Sequence, residues 1–433
     1  MSRYAAPGEP GCVVRYADRY DHFVGGEYVP PSSGRYSANP TPVTGRVFTE
    51  TAESTPDDLR RAVADGRGAA AGWSKTALAE RAVILSEIAD RIEDNLEALA
   101  VAESWDTGKP IRQTLGADVP LAADHFRYFA GAIRAAEGVR SGIDGDAVVH
   151  GFREPIGVVQ RSLGWDYPLL GAAWCLAPAL AAGNTVVLKP AVQTPASIHV
   201  LLSVVNDLVP PGVINVVNGF PATPPLGLGP SVFFADLDGP LRDRAFDGFV
   251  TGTSLALVQH GGYEQFVEAA VERVQRHVAG HPLDTSTTVG ALVSADELSM
   301  AVADVETAAR SGARVRVGGA RASLGGDLDG GFFLEPTVID GHNHVLAPVI
   351  SVAGFNDFDD AIKLVNEAET TAGVSVWTRD TGVGYRAGRA INAARIWVNS
   401  DHSHPAEAAF SREDRNALLT EYWRDKRITV SYS

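Results

Sequence analysis

The sequence is poor in cysteine and in positive charge. It has only two cysteines in 433 residues, Cys12 and Cys175, and 37 lysines and arginines against 53 aspartates and glutamates. Two cysteines do not make a disulfide framework, so we expect a reducing, cytoplasmic location. The formal net charge of −16 repels phosphate backbones and anionic lipid, and therefore argues against nucleic-acid and membrane-surface partners.

The sequence also lacks an unbroken apolar run of membrane-spanning length. Its most apolar stretch, residues 169–188, contains Pro178, Gly183 and Asn184, which predicts a buried helix, a turn and a strand. Residues 1–12 do not show the charged-then-apolar pattern of a signal peptide.

What is present predicts an α/β protein of two or three domains. Residues 55–58 read Thr-Pro-Asp-Asp, a typical helix start, and the isoleucines and leucines of residues 84–99 have the spacing of one long helix. Short apolar strands alternate with helices from residue 156 to 217, which favours a parallel, doubly wound sheet. Residues 219–231 contain four prolines and three glycines, and predict a hinge.

Several phrases resemble those of the aldehyde dehydrogenase superfamily. Residues 155–159 read Pro-Ile-Gly-Val-Val, residues 177–190 include Pro-Ala-Leu-Ala-Ala-Gly-Asn-Thr-Val-Val-Leu-Lys-Pro, and residues 210–219 read Pro-Pro-Gly-Val-Ile-Asn-Val-Val-Asn-Gly. The bacterial acetaldehyde dehydrogenases are the group it resembles most. The phrases that support this group lie at residues 102–110, 124–130, 374–380 and 430–433.

The resemblance implies an aldehyde dehydrogenase-like α/β fold with three parts. A Rossmann-like cofactor domain would take residues 20–136 and 155–225, and a catalytic α/β domain residues 226–423. A β-strand oligomerisation arm would take residues 137–154 and 424–433.

The same resemblance implies that the family's thiol and general base are missing. In the family a cysteine thiolate attacks the aldehyde before hydride leaves to the nicotinamide. Here residues 248–254 run directly into the next strand, and Val250 is nearest to the lost cysteine. The family's Leu-Glu-Leu-Gly-Gly phrase is reduced to residues 226–229, so that Gly227 lies near the lost glutamate.

The oxyanion donor is altered as well. The family's Pro-Trp-Asn reads Gly164-Trp165-Asp166 here, and an ionised carboxylate repels a developing oxyanion that an amide would stabilise. Losing one such donor costs on the order of a hundred- to a thousandfold in rate.

The cofactor phrases are incomplete too. The Phe-Thr-Gly-Ser phrase near the pyrophosphate is absent between residues 219 and 226, and the nicotinamide-ribose phrase is reduced to residues 346–348. Trp165 and Lys189 remain as a remnant of the cofactor site, although Lys189 has lost its glutamate neighbour to Val192. We therefore expect no cofactor, or at most weak NAD binding.

These losses predict a non-oxidising pseudoenzyme that acts as an assembly partner. We expect self-association, or binding to an active aldehyde dehydrogenase paralogue, through the C-terminal strand. One alternative is a non-redox enzyme that uses Asp166, His402 and His404 as acid–base groups. Another is residual NAD-dependent aldehyde oxidation.

Two further features have a structural interpretation and a functional one. The pairs His402–His404 and His342–His344 have metal-ligand spacing, but neither has a local third ligand, so no metal is predicted. Cys175 replaces a family lysine on an apolar helix, where a buried packing role is more usual than a relocated nucleophile.

Overall fold

The fold was obtained as a computed structural model. It describes residues 4–135, 139–144, 147–220, 230–252, 255–341, 349–368, 373–393, 395–400 and 417–431.

Helices and strands alternate along the chain, as predicted for an α/β protein. The helices are α1 (Pro56–Trp73), α2 (Leu78–Asp94), α3 (Leu96–Thr107), α4 (Ile111–Gln113), α5 (Val119–Arg134), α6 (Pro168–Ala182), α7 (Ala196–Val205), α8 (Gly239–Gly252), α9 (Tyr263–Gln275), α10 (Ala295–Arg310), α11 (Phe358–Glu367), α12 (Thr381–Ala390) and α13 (Ala417–Thr420).

The strands form four sheets. They are β1 (Arg19–Tyr20), β2 (His22–Val24), β3 (Glu27–Val29), β4 (Tyr36–Pro40), β5 (Val47–Ala52), β6 (Val139–Asp144), β7 (Ala147–Pro155), β8 (Val158–Ser162), β9 (Thr185–Lys189), β10 (Ile214–Val216), β11 (Pro230–Phe233), β12 (Leu255–Gln259), β13 (Arg314–Val317), β14 (Val338–Asp340), β15 (Ile350–Phe355), β16 (Val374–Trp377), β17 (Ile396–Val398) and β18 (Trp423–Ser431). Their orders are β1-β5-β4, β3-β2-β10-β9-β8, β13-β14-β15-β12-β11-β16-β17 and β18-β7-β6.

The predicted start of α1 is confirmed. Thr55 is its N-cap, and the Thr55 hydroxyl accepts hydrogen bonds from the backbone N–H groups of Asp57 and Asp58. The Asp58 carboxylate accepts in return from the Thr55 N–H at 2.8 Å. These contacts form a capping box, which satisfies N–H groups that a helix start leaves without partners.

The long helix predicted through residues 84–99 is wrong, because two helices share that stretch. α2 ends at Asp94 and α3 begins at Leu96. The Asn95 side chain donates to the carbonyl of Arg91 at 2.8 Å and so satisfies an acceptor at the end of α2. Asparagine competes with the helix backbone in this way, which an apolar pattern alone does not reveal.

In the parallel part of the five-stranded sheet, β9 and β10 are buried on both faces. β9 pairs in parallel with β8 on one side and with β10 on the other. α6 precedes β9, and its apolar side chains lie in the largest core cluster together with those of α2 and α5. Residues 169–188 are thus a helix, a turn and a strand, as predicted. Among the described residues, no helix has the length and apolarity needed to cross a membrane.

The arm predicted from the resemblance is a three-stranded antiparallel sheet. β7 pairs with β6 on one edge and with β18 over nine residues on the other. The seven-stranded sheet is mostly parallel, with β13 antiparallel at one edge. Its first central strand, β11, begins at Pro230, inside the stretch predicted as a hinge.

Candidate functional site

The candidate site lies at the carboxyl edge of β8, β9 and β10. Ser162 at the end of β8 pairs with Lys189 at the end of β9, and Leu188 pairs with Val216 at the end of β10. The three strands therefore end at one level. In open parallel sheets, ligands bind in the crevice beyond this edge.

Trp165, Asp166 and Lys189, which were predicted from the sequence, come together at this edge. Trp165 and Asp166 follow β8 and are half-buried, and the carbonyl of Trp165 accepts a hydrogen bond from the Thr194 hydroxyl at 3.4 Å. Lys189 is half-buried, and its Nζ lies 5.2 Å from the centroid of the Phe220 ring. A partly exposed ammonium at this position is available to a bound polar ligand.

Two neighbours of Lys189 add to the crevice. Val192, which replaces the family's glutamate, is 44% exposed. Gln193 has a buried side-chain oxygen without a hydrogen-bond partner in the described structure. Leaving a buried acceptor unsatisfied costs about 1–3 kcal/mol. The Gln193 oxygen is therefore a candidate to accept a hydrogen bond from a bound ligand.

A cluster of three ionisable side chains, Glu103, Lys109 and Asp118, supports the start of α6, directly after Asp166. The Glu103 carboxylate accepts a hydrogen bond from the Leu169 N–H at 3.1 Å, and its other oxygen has no partner in the described structure. Burial, assisted by the charge of Asp118, raises the pKa of Glu103 to about 8. Glu103 therefore holds the helix start as a group that titrates near neutral pH.

Lys109 is the cation of this cluster, and its side chain is 19% exposed. Its Nζ binds the Asp118 carboxylate at 2.6 Å and lies 3.5 Å from the centroid of the Tyr167 ring. Burial alone would lower the pKa of Lys109, but Asp118 and Tyr167 raise it by more, so the residue keeps its charge. A charge buried in this way is stabilised only because its partners are fixed around it.

Sequence reasoning missed the role of Glu103, Lys109 and Asp118. Glu103 and Lys109 belong to the phrase at residues 102–110, which served only as a mark of resemblance. The usable signal was a glutamate inside a helix whose other residues are mostly apolar. A glutamate is almost never fully buried unless it has a partner.

Cys175 lies on α6 and is 4% exposed. Burial raises the pKa of its thiol to about 12, although the nearby Arg161 guanidinium acts in the opposite direction. A thiol in this state is protonated and is a poor nucleophile. The structure thus agrees with the packing interpretation of Cys175.

The remaining predicted site residues lie wholly or partly outside the described part of the chain. Val250 falls within α8, but its side chain is outside the described part, and Gly227, His402 and His404 lie in stretches that are not described. The same holds for the pair His342–His344. The loss of the family's nucleophile and base, and the acid–base pairing of Asp166 with these histidines, stay predictions.

The chain is similar to curated aldehyde dehydrogenases over its whole length. It is 47% identical to the probable aldehyde dehydrogenase of Streptomyces coelicolor, with 100% of this chain and 99% of that protein covered. It is 42% identical to acetaldehyde dehydrogenase 2 of Cupriavidus necator, with 96% of each chain covered. The resemblance to bacterial acetaldehyde dehydrogenases is confirmed.

Solved structures agree. The crystal structure of a betaine aldehyde dehydrogenase from Staphylococcus aureus, in complex with NAD+, superposes with a TM-score of 0.87 at 26% identity. The match covers 96% of this chain and 98% of that one. The predicted aldehyde dehydrogenase-like α/β fold is therefore confirmed.

Two predictions are wrong in the light of these comparisons. The expected non-oxidising pseudoenzyme is contradicted by relatives at 42–47% identity that are named as aldehyde dehydrogenases. The expectation of no cofactor, or of a degenerate NAD site, is contradicted by similar structures that hold NAD+. Both predictions depended on missing phrases, and most of those positions lie outside the described residues.

The family profile described as "Aldehyde dehydrogenase family" matches residues 28–224 and 249–411. These two segments contain the crevice with Trp165, Asp166 and Lys189. They leave out residues 225–248, where the general-base phrase was predicted to be reduced. The match spans most of the chain, and the chain belongs to the aldehyde dehydrogenase family.

Proposed function

We propose that the protein is an NAD-dependent dehydrogenase that oxidises short aldehydes to carboxylates. The observation that carries this proposal is the similarity at 42–47% identity to relatives with aldehyde dehydrogenase names, one of them acetaldehyde dehydrogenase 2. The crevice at the ends of β8, β9 and β10 supports it independently.

The residues of the crevice fit the adenosine half of NAD. Lys189 offers an ammonium to the ribose hydroxyls, and Gln193 has a buried oxygen that lacks a donor. Once the Gln193 side chain rotates towards the crevice, a ribose hydroxyl would satisfy that oxygen and remove the cost of leaving it unpaired. When bound, NAD supplies the acceptor for the hydride of the aldehyde.

The chain's own residues then have three tasks. Lys189 and Gln193 hold the nucleotide at the sheet edge. The Thr194 hydroxyl donates to the Trp165 carbonyl and so fixes the backbone of the segment that follows β8. Asp166 is at the start of the helix whose N-terminus is fixed by Glu103, so its position relative to the crevice is set by buried contacts.

The decisive experiment measures NADH absorbance with acetaldehyde and NAD binding by calorimetry on the purified protein. We expect both signals, with Lys189→Ala weakening NAD binding about tenfold through the loss of a charged hydrogen-bond donor. Lys363→Ala is the matched control, since Lys363 is exposed at 70% on α11. Absence of NAD binding in the unaltered protein would contradict the proposal.

A second pair of variants addresses how the aldehyde is attacked. The sequence holds no thiol besides those of Cys12 and Cys175, so the double change to serine removes all sulfur nucleophiles. Loss of NADH formation in the double variant, with NAD binding retained, would assign the reaction to thiol chemistry. Retained turnover would assign it to a route without sulfur.

A further inference from the structure

A second cavity lies in the seven-stranded sheet, away from the nucleotide crevice. It has a volume of about 320 Å³ and lies at the carboxyl ends of β11 and β12, between α8 and α9. None of its lining residues belongs to the crevice described above. Its size is that of a small-molecule site, and its place beyond parallel strand ends is where such folds bind ligands.

The inner wall of this cavity is aromatic. Phe233, Phe246 and Phe266 are buried there. The rings of Phe246 and Phe266 stack with centroids 4.7 Å apart and planes at 26°, and Phe233 lies 4.8 Å from Phe266. A flat apolar group of a ligand would continue this stack.

The outer wall is charged, and its cations outnumber its anions. Arg273 donates to Asp243 at 2.9 Å and lies 5.0 Å from the Phe246 ring centroid, whereas Arg276 pairs with Glu272. Arg242 also lines the cavity, and its guanidinium forms no ion pair or hydrogen bond with any residue that the structure describes, although its backbone N–H donates to the Asp238 carbonyl at 3.2 Å. One positive charge at the mouth is therefore not neutralised, in a chain whose net charge is −16.

We propose that this cavity binds a small organic carboxylate with a flat apolar body. The apolar body packs on the phenylalanine wall and the carboxylate binds Arg242. Both parts are needed, because an exposed ion pair alone contributes little in water, whereas burial of the apolar body adds favourable free energy in proportion to the area buried. Carboxylates are also the product class of the reaction proposed above, but binding at this second site does not depend on that reaction.

The probe is 4-fluorophenylacetate. Its binding to the full-length protein is measured by fluorine NMR, with NAD present in excess. We expect saturable binding, with Arg242→Ala weakening it about tenfold because the charge-assisted contact is lost. Arg244→Ala is the matched control. Arg244 is an exposed arginine on the same helix that does not line the cavity, so the change in net charge is identical and binding should not change.

A second variant tests the site through its shape. Ala269 lines the cavity and is half-buried, so Ala269→Leu should fill part of the space and reduce binding, with thermal unfolding used to check that the protein is folded. The neutral analogue 2-(4-fluorophenyl)ethanol should bind at least tenfold more weakly. The proposal is overturned if the alcohol binds as tightly, if the probe binds only when NAD is left out, or if neither variant weakens binding.

Discussion

Asp166 is the residue of the nucleotide crevice whose charge we expect to affect the rate of aldehyde oxidation most. It lies directly after β8 at the nucleotide crevice, where the family's phrase has an asparagine amide. An amide donates a hydrogen bond to negative charge that develops on the substrate oxygen, whereas an ionised carboxylate has no proton to donate.

Asp166→Asn should therefore raise kcat for acetaldehyde by on the order of tenfold or more, with little change in KM. Steady-state NADH formation checks this expectation. Asp166→Ala is the control, because it removes the negative charge without supplying a donor and should give a smaller gain. If Asp166→Asn is slower than the unaltered protein, then Asp166 contributes to turnover in another way.

For single residues, the sequence motifs predicted where a side chain lies in the fold better than they predicted whether it is buried and what it contacts. Trp165, Asp166 and Lys189 were predicted as site residues, and all three lie where β8 and β9 end, while their roles stay predictions. Glu103 was not expected to matter, because a glutamate in a helical phrase gives no information about burial until the partner helix is known. Its carboxylate meets Leu169 across 66 positions of sequence, a contact that no local pattern encodes.

Among the secondary-structure elements, some helix ends could be predicted from the sequence and others could not. The start of α1 was predictable because Thr55 and Asp58 bind backbone groups within three residues of each other. The break between α2 and α3 was not, because the apolar spacing continues across Asn95. Local hydrogen bonds can be deduced from a few residues, but a break that keeps the apolar face continuous cannot.

Glu103 links two of these elements, α3 and the start of α6, and makes their contact depend on pH. The pKa of Glu103 in the folded protein, about 8, is above its ordinary value of 4.5. The folded state therefore binds this proton more tightly than the unfolded state. Glu103 therefore raises the free energy of unfolding by its full amount below about pH 4.5. This contribution decreases as the pH rises from 4.5 and is lost once the pH passes about 8.

Glu103→Gln should remove that dependence, since glutamine resembles the protonated acid and can still accept from Leu169. Between pH 5 and pH 8, we expect the unaltered protein to lose on the order of 2 kcal/mol more stability than the variant. Urea unfolding at both pH values measures the difference. Glu97→Gln, an exposed change on the same helix, should leave the dependence intact. Equal slopes for all three proteins would contradict the expectation.

The whole molecule exposes an apolar surface on its arm. Phe152 on β7 and Ile428 on β18 are 47% and 45% exposed. The register pairs Lys426 with Phe152 and Ile428 with His150, so all four side chains share one face of the sheet. We propose that Phe152 and Ile428 take part in the self-association predicted from the sequence, since neighbouring exposed apolar side chains favour contact with another chain.

We expect the protein to be a dimer or larger at micromolar concentration, as measured by size-exclusion chromatography with light scattering. Ile428→Asp should shift it towards monomer, because a carboxylate cannot be buried in an apolar contact without a large penalty. Val278→Asp is the control, since Val278 is 49% exposed but lies outside the arm. A monomeric unaltered protein would rule out this role for the arm.

The pairing of β18 with β7 in the arm affects how the chain folds. Arg424 and Lys426 bind Glu154 across 270 and 272 positions of sequence, so β18 can pair with β7 only after a very long loop is closed. Contacts at such separation form slowly. Until they form, one edge of β7 presents unpaired amide and carbonyl groups to other chains. Refolding yield should therefore fall as protein concentration rises, because intermolecular strand pairing competes with closure.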